Sequence, residues 1–220
     1  MSFKKSISEI LRELRKKDSA RESMLKWSRE ATRLSSQAVA LIHRGRLSEA
    51  RKKLEKARKH LDKAEEAVRN WPELANSGSL ITAYQEYVEA YALYSTLSNQ
   101  PIPGLAELQV PPAAYLLGLA DFIGELRREV LERIKVGSLE EAQKLLALME
   151  EVYTELIKVD VSDALTPGLR RKCDVARKLI ETTAGDVALE VRRQSLENAI
   201  RNLEHGLGGA KNRRHGNASI

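Results

Sequence analysis

One cysteine, Cys173, stands in 220 residues. An intramolecular disulfide is therefore excluded, and a reducing compartment suits the chain. No apolar run approaches the length of a membrane span, and Met1-Ser-Phe-Lys-Lys5 has no apolar signal core. A soluble, cytoplasmic protein with no membrane partner is expected. The six prolines fall between apolar-periodic runs rather than inside them. Alternation with period two, the mark of a half-buried strand, appears nowhere. No Gly-rich phosphate loop of the P-loop type is present. The four histidines, His43, His60, His205 and His215, are not spaced as the Glu-x-x-His motifs of di-iron bundles. Cys173 has no histidine beside it in sequence to activate a thiolate.

What is present is helical periodicity. Residues 1–44 read as one or two helices opened by a capping box at Ser6-x-x-Glu9 and stopped by Gly45. Ser48 is expected to cap a second helix to about Asn70, with Ala50, Leu54, Ala57, Leu61, Ala64 and Val68 as a narrow apolar stripe. Trp71-Pro72 ends it. Ser79 is the expected cap of a helix to Leu97. A connector follows, in which Ile102, Leu105, Leu108 and Val110 can pack. Further helices are expected from Pro112 to Gly137 and from the capping box Ser138-x-x-Glu141 to about Val159. A last one runs from Thr166-Pro167 to about Leu203. Gly45-Arg-Leu-Ser-Glu-Ala50 and Gly137-Ser-Leu-Glu-Glu-Ala142 look alike, as joints between helices. The expected architecture is one all-α bundle of six to seven helices over residues 1–205, with a Gly-rich basic tail at 206–220.

Charge is uneven. The net charge is +6, and residues 1–70 hold 20 Lys and Arg against 10 Asp and Glu. Such an excess suits a polyanionic partner, although basic helices are also commonly just solvated. The region from Trp71 to Val110 is the opposite: four Glu and no Lys or Arg. Within it Leu80–Leu97 is apolar on nearly every side, which marks a helix buried in its bundle. Tyr84, Tyr87, Tyr91 and Tyr94 make one stripe, read as core or subunit contact rather than a base-stacking platform. Glu86 and Glu89 lie one turn apart on this helix, with no local cation to neutralise them. Buried carboxylates either protonate or find a cation. The next helix repeats the pattern with Asp121 and Glu125 at i and i+4, on a face that continues to Arg128 and Glu132. Antiparallel packing would bring four carboxylates together, an oxygen-only donor set that suits Mg²⁺ or Mn²⁺.

These acidic pairs carry a resemblance. Gln85-Glu-Tyr-Val-Glu-Ala90 followed by Tyr115-Leu-Leu-Gly-Leu-Ala-Asp-Phe-Ile-Gly-Glu-Leu126 resembles the translin/TRAX family, on the side of the catalytic TRAX branch. Arg29–Ser36 and Leu41–Arg44 resemble its first helix. Leu169-Arg-Arg-Lys-Cys-Asp174 resembles its last, in a form nearer to translin. The likeness covers roughly residues 20–190. It implies a translin-like helical subunit, a hollow octamer, RNA held on the inner surface and Mg²⁺-dependent endoribonuclease activity. Carried over residue by residue, Glu86, Glu89, Asp121 and Glu125 become the metal-holding and catalytic carboxylates. TRAX-like acids combined with a translin-like last helix, and a short connector in place of TRAX's long insertion, point to a homo-octamer of the archaeal homomeric type.

The expected reaction is metal-assisted phosphodiester hydrolysis. Arg21, Lys26, Arg29, Arg33, His43, Arg44, Arg46 and Arg128 are the expected contacts to the backbone of RNA, single-stranded or short duplex, or of single-stranded DNA. Two rivals belong to other classes. One is a non-catalytic binding particle for single-stranded RNA or DNA of the translin kind. The other is a helical scaffold without affinity for nucleic acid.

Overall fold

A computed structural model describes the backbone of residues 3–215 and the side chains of residues 3–204. The described residues form six long helices and two single turns. They are α1 (Phe3–Ile42), α2 (Leu47–Val68), α3 (Pro72–Ala75), α4 (Gly78–Leu97), α5 (Leu105–Leu108), α6 (Pro112–Lys135), α7 (Leu139–Leu156) and α8 (Leu169–His215). No strand occurs among the described residues, so the all-α expectation holds. The helices α4 and α6 lie side by side at the centre. On one flank α1 and α2 pack together and both touch α4; on the other, α7 and α8 pack on α6 and on each other. All six long helices feed one hydrophobic cluster.

The apolar stripe of α2 is buried as its spacing predicts. Helix α4 is buried on several sides because α1, α2 and α6 surround it. Tyr84, Tyr87 and Tyr94 are therefore core residues of the chain itself, and Tyr87, Tyr91 and Tyr94 pack edge to face with centroids 5.7 and 6.0 Å apart. The Tyr84 hydroxyl donates to Glu65 at 2.5 Å. Arg58 lies against the same ring and donates to the carbonyls of Leu108 and Gln109, which ties the connector to α2. Leu108 and Val110 are buried there, whereas Leu105 faces solvent.

The two similar joints close alike. Gly45 (φ +70°) and Gly137 (φ +78°) take the left-handed conformation that lets the following amide reach back five residues, Arg46 to Leu41 and Ser138 to Arg133. The starts of the helices differ from the sequence expectation. Ser6 lies inside α1, and Ser48 lies inside α2 behind Arg46. Helix α4 begins behind Ser77, not Ser79, and the Ser77 hydroxyl turns to the Met24 sulfur at 3.4 Å. Ser138 holds its cap position without a side-chain cap bond. Thr166-Pro167 precede α8 rather than open it. None of α2, α4 and α7 has a side-chain cap bond at its start. Helix α8 runs to His215, past the expected end near Leu203. The side chains of the tail at 206–220 lie outside the described residues.

One contact sets the spacing of the centre. A methyl group built on Gly118 of α6 would stand 2.7 Å from the Gln85 carbonyl oxygen and 2.7 Å from Val88 Cβ on α4. Only a residue without Cβ allows that approach. Gly124, two turns on, would meet nothing within 4 Å. Gly118→Ala should therefore cost about 1–3 kcal/mol of stability, whereas Gly124→Ala should gain about 0.5–1 kcal/mol from lower unfolded-state entropy. Urea denaturation at one protein concentration separates the two. Equal midpoints for Gly118→Ala and the parent would mean that α4 and α6 are free to part.

Candidate active site

The close α4–α6 contact brings the two acidic pairs to face each other. Glu86 and Glu89 come from α4, Asp121 and Glu125 from α6, and Glu129 follows one turn further along α6. Helix α1 lies across them and supplies Ser36, and the turn that follows it supplies His43. The Ser36 hydroxyl donates to Glu86 at 3.3 Å. His43 is clamped between two carboxylates, with Nε2 on Glu125 and Nδ1 on Glu129. Helix α8 supplies Lys172, whose ammonium contacts both oxygens of Asp121. Four helices thus converge on one polar cluster inside an apolar bundle.

The charges inside the cluster are unequal. Burial pushes Glu89 up to about 8, and the charges of Asp121, Glu86 and Glu125 push the same way. Glu86 is also raised by burial, against the bond from Ser36. Glu125 is held below the ordinary carboxylate range by its bond to His43. For His43, burial alone would favour the neutral ring, but Glu125 and Glu129 outweigh it and raise the imidazole to about 9. It is a cation near neutral pH, and both ring nitrogens donate. Its side chain is only 8% exposed and that of Glu129 only 6%. Arg133 stands 3.5 Å from the outer side of Glu129 and reaches Glu141 of α7.

The donor chemistry, carboxylate oxygens on a site with an excess of negative charge, fits a hard divalent cation. No closed metal cage is preformed, since among the described residues no group of three or more His, Cys, Asp or Glu stands ready to hold an ion. Asp121 already carries a cation, the ammonium of Lys172, and Glu125 carries His43. Only the α4 pair lacks one.

The expected RNA contacts divide. Arg29 and Arg33 line a groove with Thr32 of α1 and Gly78, Ser79 and Thr82 of α4, and Arg33 is also paired with Glu30 at 2.6 Å. One helical turn beyond Thr32 and Thr82 lie Ser36 and Glu86, so this groove leads to the acids. Arg128 is exposed, 3.8 Å from Glu125. Arg44 occupies the turn after α1. Three others point elsewhere. Arg21 pairs with Glu22 on the outer part of α1. Lys26 lies over the Trp27 ring, which stacks on His60 of α2. Arg46 grips both oxygens of Glu49. His43 is corrected outright. The sequence reading gives it to RNA phosphate, but both nitrogens are spent on buried carboxylates. Sequence reasoning assigned no role to Lys172, Glu129 or Ser36. A usable signal existed for Lys172, a lysine set between Leu169 and Ala176 on the buried stripe of α8.

The sequence profile of the Translin family matches residues 19–183. This chain belongs to the Translin family. An uncharacterised protein of Methanocaldococcus jannaschii is 36% identical over 199 residues, which is 90% of this chain and 88% of the relative. Among solved structures, AfC3PO in complex with duplex RNA superposes with a TM-score of 0.80 at 36% identity, covering 86% of this chain and 97% of that one. AfC3PO alone gives a TM-score of 0.78 at the same identity, over 86% and 98%. The apo form of NeC3PO gives 0.76 at 25% identity, over 84% and 96%. The Translin match takes in both acidic pairs, His43 and Lys172.

The shifted groups make stability depend on pH. Folded Glu89 keeps a proton up to about pH 8 that the unfolded chain has lost by about 4.5, so its contribution falls as pH rises between those values. His43 acts in the same sense: its contribution is full below 6.5 and is lost as pH rises through about 9. Glu125 opposes them, but only on acidification below the ordinary carboxyl range. With a chelator present, the protein should lose stability between pH 6.5 and 9, on the order of 1 kcal/mol per pH unit. Glu89→Gln should remain folded to a higher temperature than the parent at pH 9. Thermal melts at a series of pH values measure both, and a parent Tm that is flat from pH 6.5 to 9 would contradict these assignments.

Proposed function

We propose that this protein is a Mg²⁺-dependent endoribonuclease that cuts RNA inside a closed homo-oligomer. The observation that carries this reading is the α4 pair. Glu86 and Glu89 are held in an apolar bundle without a cation of their own, facing a second acidic pair. Retaining such a site costs stability, which a structural role alone would not require. That AfC3PO, alike over most of both chains, has been seen with duplex RNA supports RNA as the ligand.

Glu86, Glu89, Asp121 and Glu125 would hold Mg²⁺, or Mn²⁺ in its place. The ion would supply positive charge to the phosphoryl oxygens and acidify a water molecule. The protein's own groups have separate tasks. Glu89, raised to about 8, holds its proton near neutral pH while no cation faces it; a divalent ion would favour its carboxylate, and an oxygen left free could then accept the proton of a water, the task of a general base. His43 fixes the Glu125 carboxylate through Nε2 and is itself fixed through Nδ1. Arg29 and Arg33 of the groove, with Arg128 at the acids, would hold the strand by its phosphates. Such contacts carry little sequence information and suit a general RNA backbone, or single-stranded DNA. A cytoplasmic setting fits the single cysteine.

Assembly rests on surfaces the sequence reading did not choose. The first buried residue of α1 is Met24, and Lys17 already pairs with Glu73 of α3, so Phe3 to Lys16, about 20 Å of helix, stands clear of the bundle. Phe3, Ile7, Ile10, Leu11 and Leu14 are exposed along it, and Leu189, Leu196, Ile200 and Leu203 along α8. A second copy of this chain offers the same two apolar helices in return, and an octamer is the closed form we infer.

A second reading, a non-catalytic binding particle, has one observation in its favour. Asp121, Glu125 and Glu86 already have internal partners in Lys172, His43 and Ser36. A cleavage assay on short RNA with Mg²⁺ and with chelator separates the two. Glu89→Gln or Asp121→Asn should lower the cleavage rate by about 100-fold or more while RNA binding persists. Wild-type rates in both variants would sink the catalytic assignment. For assembly, light scattering should give the mass of a closed oligomer. Leu11→Glu with Leu14→Glu, both at exposed positions, should dissociate it without unfolding the subunit. A parent that is monomeric at micromolar concentration would end the enclosed-chamber reading and leave the carboxylate site standing.

A further inference from the structure

Lys172 is a half-buried lysine whose ammonium pairs with Asp121 and whose charge is also felt by Glu86 and Glu89. Its ammonium lies on both oxygens of Asp121, the geometry in which a carboxylate receives a cation, with 31% and 34% of the two side chains exposed. Glu86 and Glu89 of the α4 pair opposite have no ion pair of their own, and Lys172 acts on them only through space. Beside the Asp121–Lys172 pair opens a cavity of about 470 Å³, lined among others by Gly124, Gly168, Arg171 and Val175. A Cβ on Gly124 or Gly168 would meet nothing within 4 Å, so the space next to the ammonium is open.

We propose that Lys172 is the resident counter-ion of the cluster: it occupies Asp121 in the cation-free protein and is displaced into this cavity when a divalent ion binds. The inference deepens the nuclease reading and rests on its choice of Asp121 as a ligand. The physical reason is competition for one carboxylate. An ammonium ion contributes one charge and keeps the acids from repelling each other apart; a divalent ion contributes two and can be shared by several carboxylates at once. Both cannot sit on the same two oxygens. Lys172 thus keeps the site assembled without metal, and its presence weakens metal binding by the strength of the pair it must give up.

Two measurements test this. Mn²⁺ binding, followed by the electron paramagnetic resonance signal of the free ion at fixed ionic strength, should be about tenfold tighter or more in Lys172→Met than in the parent. In the parent protein, which avoids any folding defect of the variant, saturating Mg²⁺ should speed acetylation of Lys172 by acetic anhydride, read by peptide mass spectrometry. The exposed Lys52 of α2 should not change and serves as the reference. If Mn²⁺ affinity is unaltered by Lys172→Met, or if Mg²⁺ leaves the acetylation of Lys172 unchanged, the displacement is overturned. Loss of RNA cleavage in Glu89→Gln alongside either result would leave the nuclease reading intact. A parent protein that binds no Mn²⁺ at all would overturn both.

Discussion

The absence of a side chain at Gly118 lets the backbones of α4 and α6 come into contact, and the acidic cluster depends on that contact. Any Cβ there would press on the Gln85 carbonyl and on Val88, one residue before Glu86 and one before Glu89. The result is four carboxylates, two from each helix, in one low-dielectric volume. Their mutual repulsion must be met by something. Ser36 of α1 and His43 of the turn after it meet part of it, and α8 meets part with Lys172. The remainder is stored in Glu89, which keeps its proton to about pH 8. Packing geometry, ion pairing and proton affinity are thus three consequences of one close approach.

Much of this was legible in the sequence. An apolar helix with two Glu and no neighbouring Lys or Arg could only mean acids inside a bundle, and α4 is that helix. The stripe of α2 from Ala50 to Val68 was read correctly because each residue sits on a strict helical repeat. The Gly45 and Gly137 joints were visible because both need the left-handed region. The helix starts were not. Serine is common ahead of helices, and which serine caps is decided by neighbours distant in sequence; Ser77 is drawn to Met24 on α1, which no local pattern reveals.

The partners of the acids were the larger omission, for a related reason. His43 and Glu129 are 86 residues apart, and Lys172 and Asp121 are 51 apart. Helical periodicity places a residue on a face but does not say which face of another helix it meets. His43 next to Arg44, in a basic half of the chain, looked like a phosphate contact. Two buried carboxylates on α6 claimed it instead. Lys172 lies in the motif Leu169–Asp174, and its place between buried Leu169 and Ala176 is the sign that it is not an ordinary solvated lysine.

A polyanion and a cluster of carboxylates repel each other, so a site of this kind needs its positive charge outside the acids and close to them. The groove of Arg29 and Arg33 has that position, one helical turn from the Ser36–Glu86 contact, and Arg128 stands beside Glu125. The basic excess of residues 1–70 is spread over α1 and α2, and part of it is spent locally: Arg33 on Glu30, Arg46 on Glu49, Arg51 on Glu55, Arg58 on Asp62 and Glu65. Net charge alone therefore overstates what is free to meet a phosphate. The useful cations are those that border the groove, and the overhanging part of α1 extends the same helix outward from them. A second copy that covers the apolar stripe of that overhang would turn an open groove into a lined passage. The groove, the acids and the unpartnered stripe all lie on α1 or against it, so the placement of this one helix couples assembly to the site.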